Sequence, residues 1–312
     1  MTFRIGAVGV GPWSQKLATA FRECGAEIVA FDRKGAPNER GANEIRLADG
    51  FGEFRRWQEQ LSDGKIDALI ICAPPDVTTE VALECAKAGK RCVATKPLMW
   101  TEVPAHTYWN VQDPDDGLSR SLYVDLWRLY SPAWLAMKEE LRGKKIDRID
   151  VAFCGNGPFR SFNGALDYGP HALAFVFDLL GTTDVCGLEP VELEPEDEKR
   201  QGKLYSVTMR VGGVPIEMKI GNGADEPERS VYVYTGEATV RKRANEYRFD
   251  EPANGHPGEK NDRFLCRGFD ELQHHKDLAL RRFCRAFMAG DRSRTLEYSI
   301  AGQRVLERIV GQ

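Results

Sequence analysis

The sequence predicts an α/β protein in which a doubly wound parallel sheet is followed by an α+β domain built on a largely antiparallel, open sheet. Three observations carry this. Short apolar runs alternate with helix-like stretches through residues 3–100, the mark of a parallel sheet covered on both faces. A glycine-rich turn joins the first run to the first helix-like stretch. Beyond about residue 145 the pattern changes to strands of period two around one apolar helix.

Taken in order, the first region reads Phe3–Val10, Trp13–Glu23, Glu27–Phe31, Phe54–Leu61, Ile66–Cys72, Val77–Ala88 and Arg91–Ala94. Asp113–Gly117 is a turn-rich break, and Ser121–Leu126 is expected to add one more strand to the same sheet. The expected division is residues 1–120 for the first domain and 121–312 for the second. In the second region Asp167–Leu180 is an apolar helix. Tyr205, Val207, Met209 and Val211 share one strand face, as do Val214, Ile216, Met218 and Ile220 on the next, so each strand has a packing side and a polar side. Ser230, Tyr232 and Tyr234 are expected to look outward from a third strand. Glu189–Arg200, with its mixed charges, reads as a solvated loop, and His274–Met288 and Leu296–Ile309 read as closing helices.

Composition narrows the class. With 312 residues, 42% hydrophobic and 29% charged, the chain can bury one or two cores. A net charge of −4 gives no field to hold nucleic acid or an anionic membrane. There is no apolar run long enough to span a bilayer and no recognisable leader at Met1, so a cytoplasmic location is expected. The eight cysteines are scattered without a CxxC pair, which argues for reduced thiols and against a zinc cluster. His274 and His275 are adjacent and diverge on a helix, while His106 and His256 lack spaced partners, so no catalytic metal is expected.

The turn Gly6-Ala-Val-Gly9-Val-Gly11-Pro12-Trp13-Ser14 ends a strand and opens a helix, the context in which G-x-G-x-x-G holds a dinucleotide. Gly9 permits the tight turn, Gly11 lets the backbone meet the pyrophosphate, and the helix start offers N–H groups and a positive dipole end. Ser14 replaces the third glycine with another small residue. Asp32, 21 residues after Gly11, lies near the spacing at which a carboxylate takes the adenosine ribose hydroxyls. A Rossmann-type domain binding NAD follows; Arg33 and Lys34 leave NADP open, although Asp32 would repel a 2′-phosphate.

Further along, Ile66-Asp-Ala-Leu-Ile-Ile-Cys-Ala-Pro-Pro-Asp76, then Ala88-Gly-Lys90, then Val93-Ala-Thr-Lys96-Pro97-Leu98 resembles the glucose–fructose oxidoreductase / inositol dehydrogenase (Gfo/Idh/MocA) family. Leu166-Asp167-Tyr-Gly-Pro-His171, ending in Phe177-Asp-Leu-Leu-Gly181, is similar to its D-x-G-x-H helix, and Trp127-Arg128-Leu-Tyr-Ser-Pro132 to its arginine-before-proline segment. The resemblance implies that Ala73, Pro74, Pro75, Thr95, Lys96 and Pro97 join Gly9, Gly11, Pro12, Trp13, Ser14, Asp32 and Arg33 around the cofactor. It also implies a catalytic trio of Lys96, Asp167 and His171. Thr95 stands where the family has glutamate, Thr78 where histidine follows Pro-Pro, and the Cys154–Asn163 loop looks short.

The trio suits hydride exchange between nicotinamide and a secondary alcohol or ketone. Histidine exchanges the hydroxyl proton and lysine stabilises developing alkoxide charge. Asp167, one helical turn before His171, shares its face and can orient the imidazole. Each residue alone also admits a plain reading: a core histidine, a solvated lysine, an N-cap aspartate. Arg128, Arg160, Asn163 and Tyr168 are substrate-contact candidates. By resemblance the substrate is a sugar, nucleotide sugar or cyclitol, and the assembly a homodimer or homotetramer through the open sheet. The alternatives are an imine reductase, a glycoside hydrolase using tightly held NAD, and a non-catalytic NAD-binding sensor.

Overall fold

A computed structural model describes residues 2–32, 53–98, 121–156, 163–194, 202–236, 245–248, 263–267, 278–291 and 293–311. It divides into two compact units. The first comprises Met1–Asp125 with Leu280–Glu297, and the second Leu126–Ala279 with Tyr298–Gln312.

The first unit is built on β1 (Arg4–Val8), β2 (Glu27–Asp32), β3 (Glu53–Phe54), β4 (Ala68–Ile71), β5 (Arg91–Ala94) and β6 (Leu122–Val124), in the order β3-β2-β1-β4-β5-β6 and parallel throughout. Their interior residues, Ile5, Ala7, Leu69, Ile70 and Val93 among them, are fully buried, as expected of strands covered on both faces. α1 (Pro12–Glu23), α2 (Trp57–Ser62) and α3 (Pro75–Lys87) connect them. The stretch expected as Phe54–Leu61 is thus a two-residue strand followed by a short helix. Ser121–Leu126 supplies the sixth strand as the sequence reading expects, and Asp113–Gly117 lies outside the described residues. From the far end of the chain α6 (Leu278–Ala289) returns to this unit, where Phe287 packs edge-on against Phe3, Phe21 and Tyr123.

The second unit carries a mixed sheet, β12-β13-β11-β7-β10-β9-β8. Its strands are β7 (Arg148–Cys154), β8 (Val185–Leu193), β9 (Leu204–Val211), β10 (Val214–Gly221), β11 (Glu228–Tyr234), β12 (Asn245–Arg248) and β13 (Arg263–Arg267). Pairings are antiparallel except β7 with β10 and β12 with β13. α5 (Gly164–Leu180) lies against β7, β9 and β10, and α4 (Pro132–Leu141) against β12 and β13. Val207, Met209, Ile216, Met218 and Ile220 fill the covered face, matching the period-two reading. α7 (Thr295–Val310) completes the described elements.

Two expectations change here. Glu189–Leu193, read as the start of a charged loop, belongs to edge strand β8, paired with β9 across a register shift between Cys186 and Glu189. An edge strand open on both faces tolerates charge, so mixed charge does not exclude strand there; residues 195–200 lie outside the described residues. Ser230 does not look out to solvent: it is buried, and its hydroxyl donates to Glu228. Of the expected helix His274–Met288, residues 274–277 lie outside the described residues.

Candidate functional site

In the first unit, the C-terminal edge of the sheet is knit by the residues that follow each strand. The Gly9 N–H donates to the Asp32 carbonyl, Cys72 to Val8, Thr95 to Ile71 and Asp125 to Ala94, at 2.8–2.9 Å. Asp32, Gly9, Cys72, Thr95 and Asp125 therefore stand in a row across β2-β1-β4-β5-β6. In this strand order the chain reverses between β1 and β4, where a parallel sheet leaves a crevice for a ligand.

Gly9 has φ +86°, and a Cβ there would lie 2.1 Å from the Cys72 carbonyl oxygen, so only glycine fits. Gly11 is different. It is the N-cap of α1, no side chain caps the helix, and a Cβ on it would meet nothing within 4 Å. The helix start thus faces open space with no acidic residue in its first turn, the arrangement that accepts a pyrophosphate. Pro12 occupies the first helical position, where its missing N–H costs nothing, and Ser14 is fully buried, as a position of close helix–strand packing requires. The residues present fit a dinucleotide.

Asp32 is buried at the end of β2, and one carboxylate oxygen accepts from the Trp57 N–H at 2.6 Å, capping α2. Arg33 and Lys34 lie outside the described residues. Ala73 opens the β4–α3 turn before Pro74 and Pro75. Thr78, which replaces the histidine of the resemblance, is buried and folds back on that turn: its hydroxyl donates to the Ala73 carbonyl at 2.9 Å. Thr95, in place of glutamate, donates through Oγ1 to the Ile71 carbonyl at 3.2 Å. Thr78 thus fastens its own turn, and Thr95 ties the end of β5 to the neighbouring strand β4. Lys96, half-buried, and Pro97, joined to it by a cis peptide bond, come directly after β5.

Trp13 and Asp125 form a pair that the sequence reading missed in part. The Trp13 indole N–H donates to an Asp125 carboxylate oxygen at 2.5 Å, and Asp125 is 2% exposed. The only signal for Asp125 was an acidic residue immediately after an apolar strand. Burial, and then the Asp125 carboxylate, push the Cys72 thiol well above its ordinary value, so it stays protonated.

In the second unit, Asp167 and His171 sit one turn apart on α5, both buried. His171 Nε2 lies 2.8 Å from an Arg128 guanidinium nitrogen. Arg128 comes from a single 3-10 turn, Trp127–Tyr130, and the Ser131 hydroxyl that follows caps α4 by accepting from Trp134. Arginine only donates, so Nε2 accepts and carries no proton in this arrangement. Asn163 caps α5 by accepting from the Ala165 N–H, and its amide donates to the Tyr205 hydroxyl at 2.9 Å, so both ends of its side chain are engaged. Tyr168 stacks under Arg229, 4.4 Å from guanidinium to ring centre, an arginine the sequence reading did not single out. Arg160 and most of the loop before Asn163 lie outside the described residues. Lys96 belongs to the first unit and Asp167 and His171 to the second.

Among the described residues no group of acidic, cysteine and histidine side chains could hold a metal, and all eight cysteines are free thiols. No described helix is long and apolar enough to cross a membrane.

Fold and phosphate turn together define an NAD-binding Rossmann unit carried with a second, sheet-based unit. Residues 3–107 match the Gfo/Idh/MocA oxidoreductase family, NAD-binding Rossmann fold. It is 26% identical over 144 residues to inositol 2-dehydrogenase from Paracoccus denitrificans, covering 45% of this chain and 41% of that protein. The chain thus matches less than half the length of this curated relative. Among solved structures, a myo-inositol dehydrogenase from Corynebacterium glutamicum superposes with a TM-score of 0.70 at 14% identity, over 100% of this chain and 96% of the other. GenD2 from gentamicin A biosynthesis, solved in complex with NAD, gives 0.71 at 15% identity, over 100% and 95%. At these identities the likeness to solved structures is one of fold.

Proposed function

We propose that the chain is an NAD(P)-dependent dehydrogenase or reductase acting on a secondary alcohol or ketone of a sugar, nucleotide sugar or cyclitol. The observation that supports it best is the open, uncapped start of α1 at Gly11, set in a row that runs from Asp32 to Asp125. Asp32, buried at the end of β2, stands where a carboxylate takes the adenosine ribose hydroxyls and would repel a 2′-phosphate, which favours NAD over NADP. The substrate class follows the relatives named as inositol dehydrogenases.

Bound nicotinamide would exchange a hydride with the carbinol carbon. The chain's own residues handle the proton. A substrate hydroxyl that takes the place of the Arg128 donor finds an unprotonated His171 Nε2 and gives it the hydroxyl proton as the carbonyl forms. Asp167, on the same helix face, orients the imidazole. Lys96 contributes the positive charge that stabilises alkoxide character on the substrate oxygen. The second unit's open sheet is proposed to associate with another copy of the chain.

The test is turnover of NAD and NADP against a panel of sugars, nucleotide sugars and cyclitols. Lys96→Met and His171→Ala should each lose on the order of 10²–10⁴-fold in rate while NADH affinity stays within a few-fold. Rates within about tenfold of the parent for both would remove the trio from the chemistry. Net NADH production with substrate would exclude the hydrolase reading, in which NAD is regenerated each cycle.

A further inference from the structure

Two side-chain amides stand at the start of α5, and the protein uses only one of them fully. Asn163 has its oxygen on the Ala165 N–H and its NH2 on the Tyr205 hydroxyl. Asn222, directly after β10, packs against Gly164, the first residue of the helix, so closely that a Cβ there would collide with it. The Asn222 side-chain oxygen accepts from the Lys203 N–H at 3.2 Å, and its backbone N–H donates to the Lys203 carbonyl at 3.0 Å. A backbone N–H only donates, so the atom facing it is the oxygen and the NH2 occupies the other branch of the amide. Among the described residues nothing accepts from that NH2.

Asn222 is 8% exposed, so the side chain is more than nine-tenths buried yet can still be reached. A buried donor without an acceptor costs free energy until something fills the place, and proteins rarely leave one so. Its backbone is held as well: a Cβ on Gly202 would lie 2.6 Å from the Asn222 carbonyl oxygen. Two neighbouring groups are also unused. The Gly164 N–H opens α5 and has no acceptor among the described residues. The Tyr168 hydroxyl, one turn further along the same helix face, makes no hydrogen bond among them, while the Arg229 guanidinium stacked 4.4 Å from its ring centre holds the ring.

The Asn222 NH2 and the Gly164 N–H can only donate. A hydroxyl offered to them must place its own proton elsewhere, whereas a carbonyl, carboxylate or phosphoryl oxygen brings lone pairs alone. His171 follows Gly164 by seven residues, about 10 Å along the helix axis, and its side chain leans back toward the helix start. A six-membered ring with one substituent spans that interval, its carbinol at His171 and its substituent at Gly164. We infer that Asn222 is a specificity-determining residue: with Gly164 and Tyr168 it takes an acceptor-only oxygen on a substituent of the substrate ring. The substrate is then an acylamino, acidic or phosphorylated sugar rather than a plain polyol. The inference rests on the proposed dehydrogenase reading, and the experiment separates the two.

Dissociation constants are to be measured by calorimetry in the presence of NADH, with which an alcohol cannot react, at about pH 8, where a new carboxyl is ionised. The probes are N-acetylglucosamine, glucuronate and glucose 6-phosphate, each with an acceptor-only group, and myo-inositol and glucose, which have none. At least one of the first three should bind the parent about tenfold or more tightly than glucose, and its identity distinguishes carbonyl, carboxylate and phosphoryl. Asn222→Asp keeps the oxygen for Lys203 and the shape but turns the donor into an acceptor. It should weaken that probe about 10–100-fold and leave myo-inositol and glucose within about threefold, since a hydroxyl can donate to the new carboxylate. NADH affinity and the unfolding midpoint should stay near the parent's. Tyr168→Phe should weaken the same probe about three- to tenfold. Equal affinity of the parent for the two groups of probes overturns the inference while the dehydrogenase reading stands, as does an Asn222→Asp variant that weakens every probe alike or none. Should Asn222→Asp fail to fold, the parent's ranking and Tyr168→Phe still decide. A parent that binds no probe overturns the sugar reading, and this inference with it.

Discussion

Gly9 and Gly11 look alike in the sequence, yet the structure gives them opposite reasons to be glycine. At Gly9 the protein itself forbids a side chain, through a positive φ and the Cys72 carbonyl 2.1 Å from a would-be Cβ. At Gly11 nothing in the protein objects. Gly9→Ala should therefore lower the thermal midpoint of unfolding by several degrees, since strain there costs about 1–3 kcal/mol. Gly11→Val should unfold close to the parent temperature but lose NADH binding in titration; retained affinity in the folded variant would refute the phosphate-turn assignment. The motif was legible because its spacing is set by backbone geometry. Arg128 as the hydrogen-bond partner of His171 was not, because 43 residues separate them and only tertiary folding brings them together. The same holds for Trp13 and Asp125, 112 residues apart.

At the scale of elements, periodicity served where one face is buried and failed where none is. β9 and β10 alternate cleanly because α5 covers one side, whereas β8 carries charge on an edge and gives no such signal. α5 was legible as an apolar helix, but its close fit at the N-terminus was not. A Cβ on Gly164 would sit 2.1 Å from the Asn222 side-chain oxygen and 2.7 Å from its backbone nitrogen, and that oxygen already accepts from the Lys203 N–H. Gly164→Ala should push the helix start away from the β9–β10 hairpin and destabilise the second unit by about 1–3 kcal/mol. Gly302 in α7 is the control: its nearest contacts would be 3.6 and 3.7 Å, ordinary van der Waals distances. Gly302→Ala should be neutral or stabilise by up to about 1 kcal/mol through helix propensity. Denaturant midpoints measured side by side check both, and equal effects would contradict the packing described.

For the whole molecule, the face of the second sheet opposite α4 and α5 bears on assembly. Alternation places Arg148, Asp150, Thr208, Glu217, Lys219, Tyr232, Tyr234 and Arg263 on it. The sequence reading expected the two tyrosines to be open. They are half-buried instead: the Arg263 guanidinium lies 4.5 Å from the Tyr232 ring centre, and Arg148 lies 4.7 Å from that of Tyr234. The Tyr234 hydroxyl donates to Asp150 at 2.9 Å, and burial followed by that bond raises its pKa, so it remains a neutral donor at working pH. The face is thus an ordered layer of rings, guanidiniums and carboxylates rather than an apolar patch. Such a layer of both signs can be self-complementary about a two-fold axis, since each positive group finds a negative one on an identical surface. We predict a homo-oligomer formed through this face. Light scattering at micromolar concentration should give a multiple of the 35.0 kDa chain mass, and the mass of one chain would sink the proposal. Tyr232→Glu with Tyr234→Glu removes both rings from their guanidinium stacks and sets new carboxylates beside Asp150, which should dissociate the oligomer into folded single chains. If the double variant kept the parent's mass, the chains would have to associate through another surface.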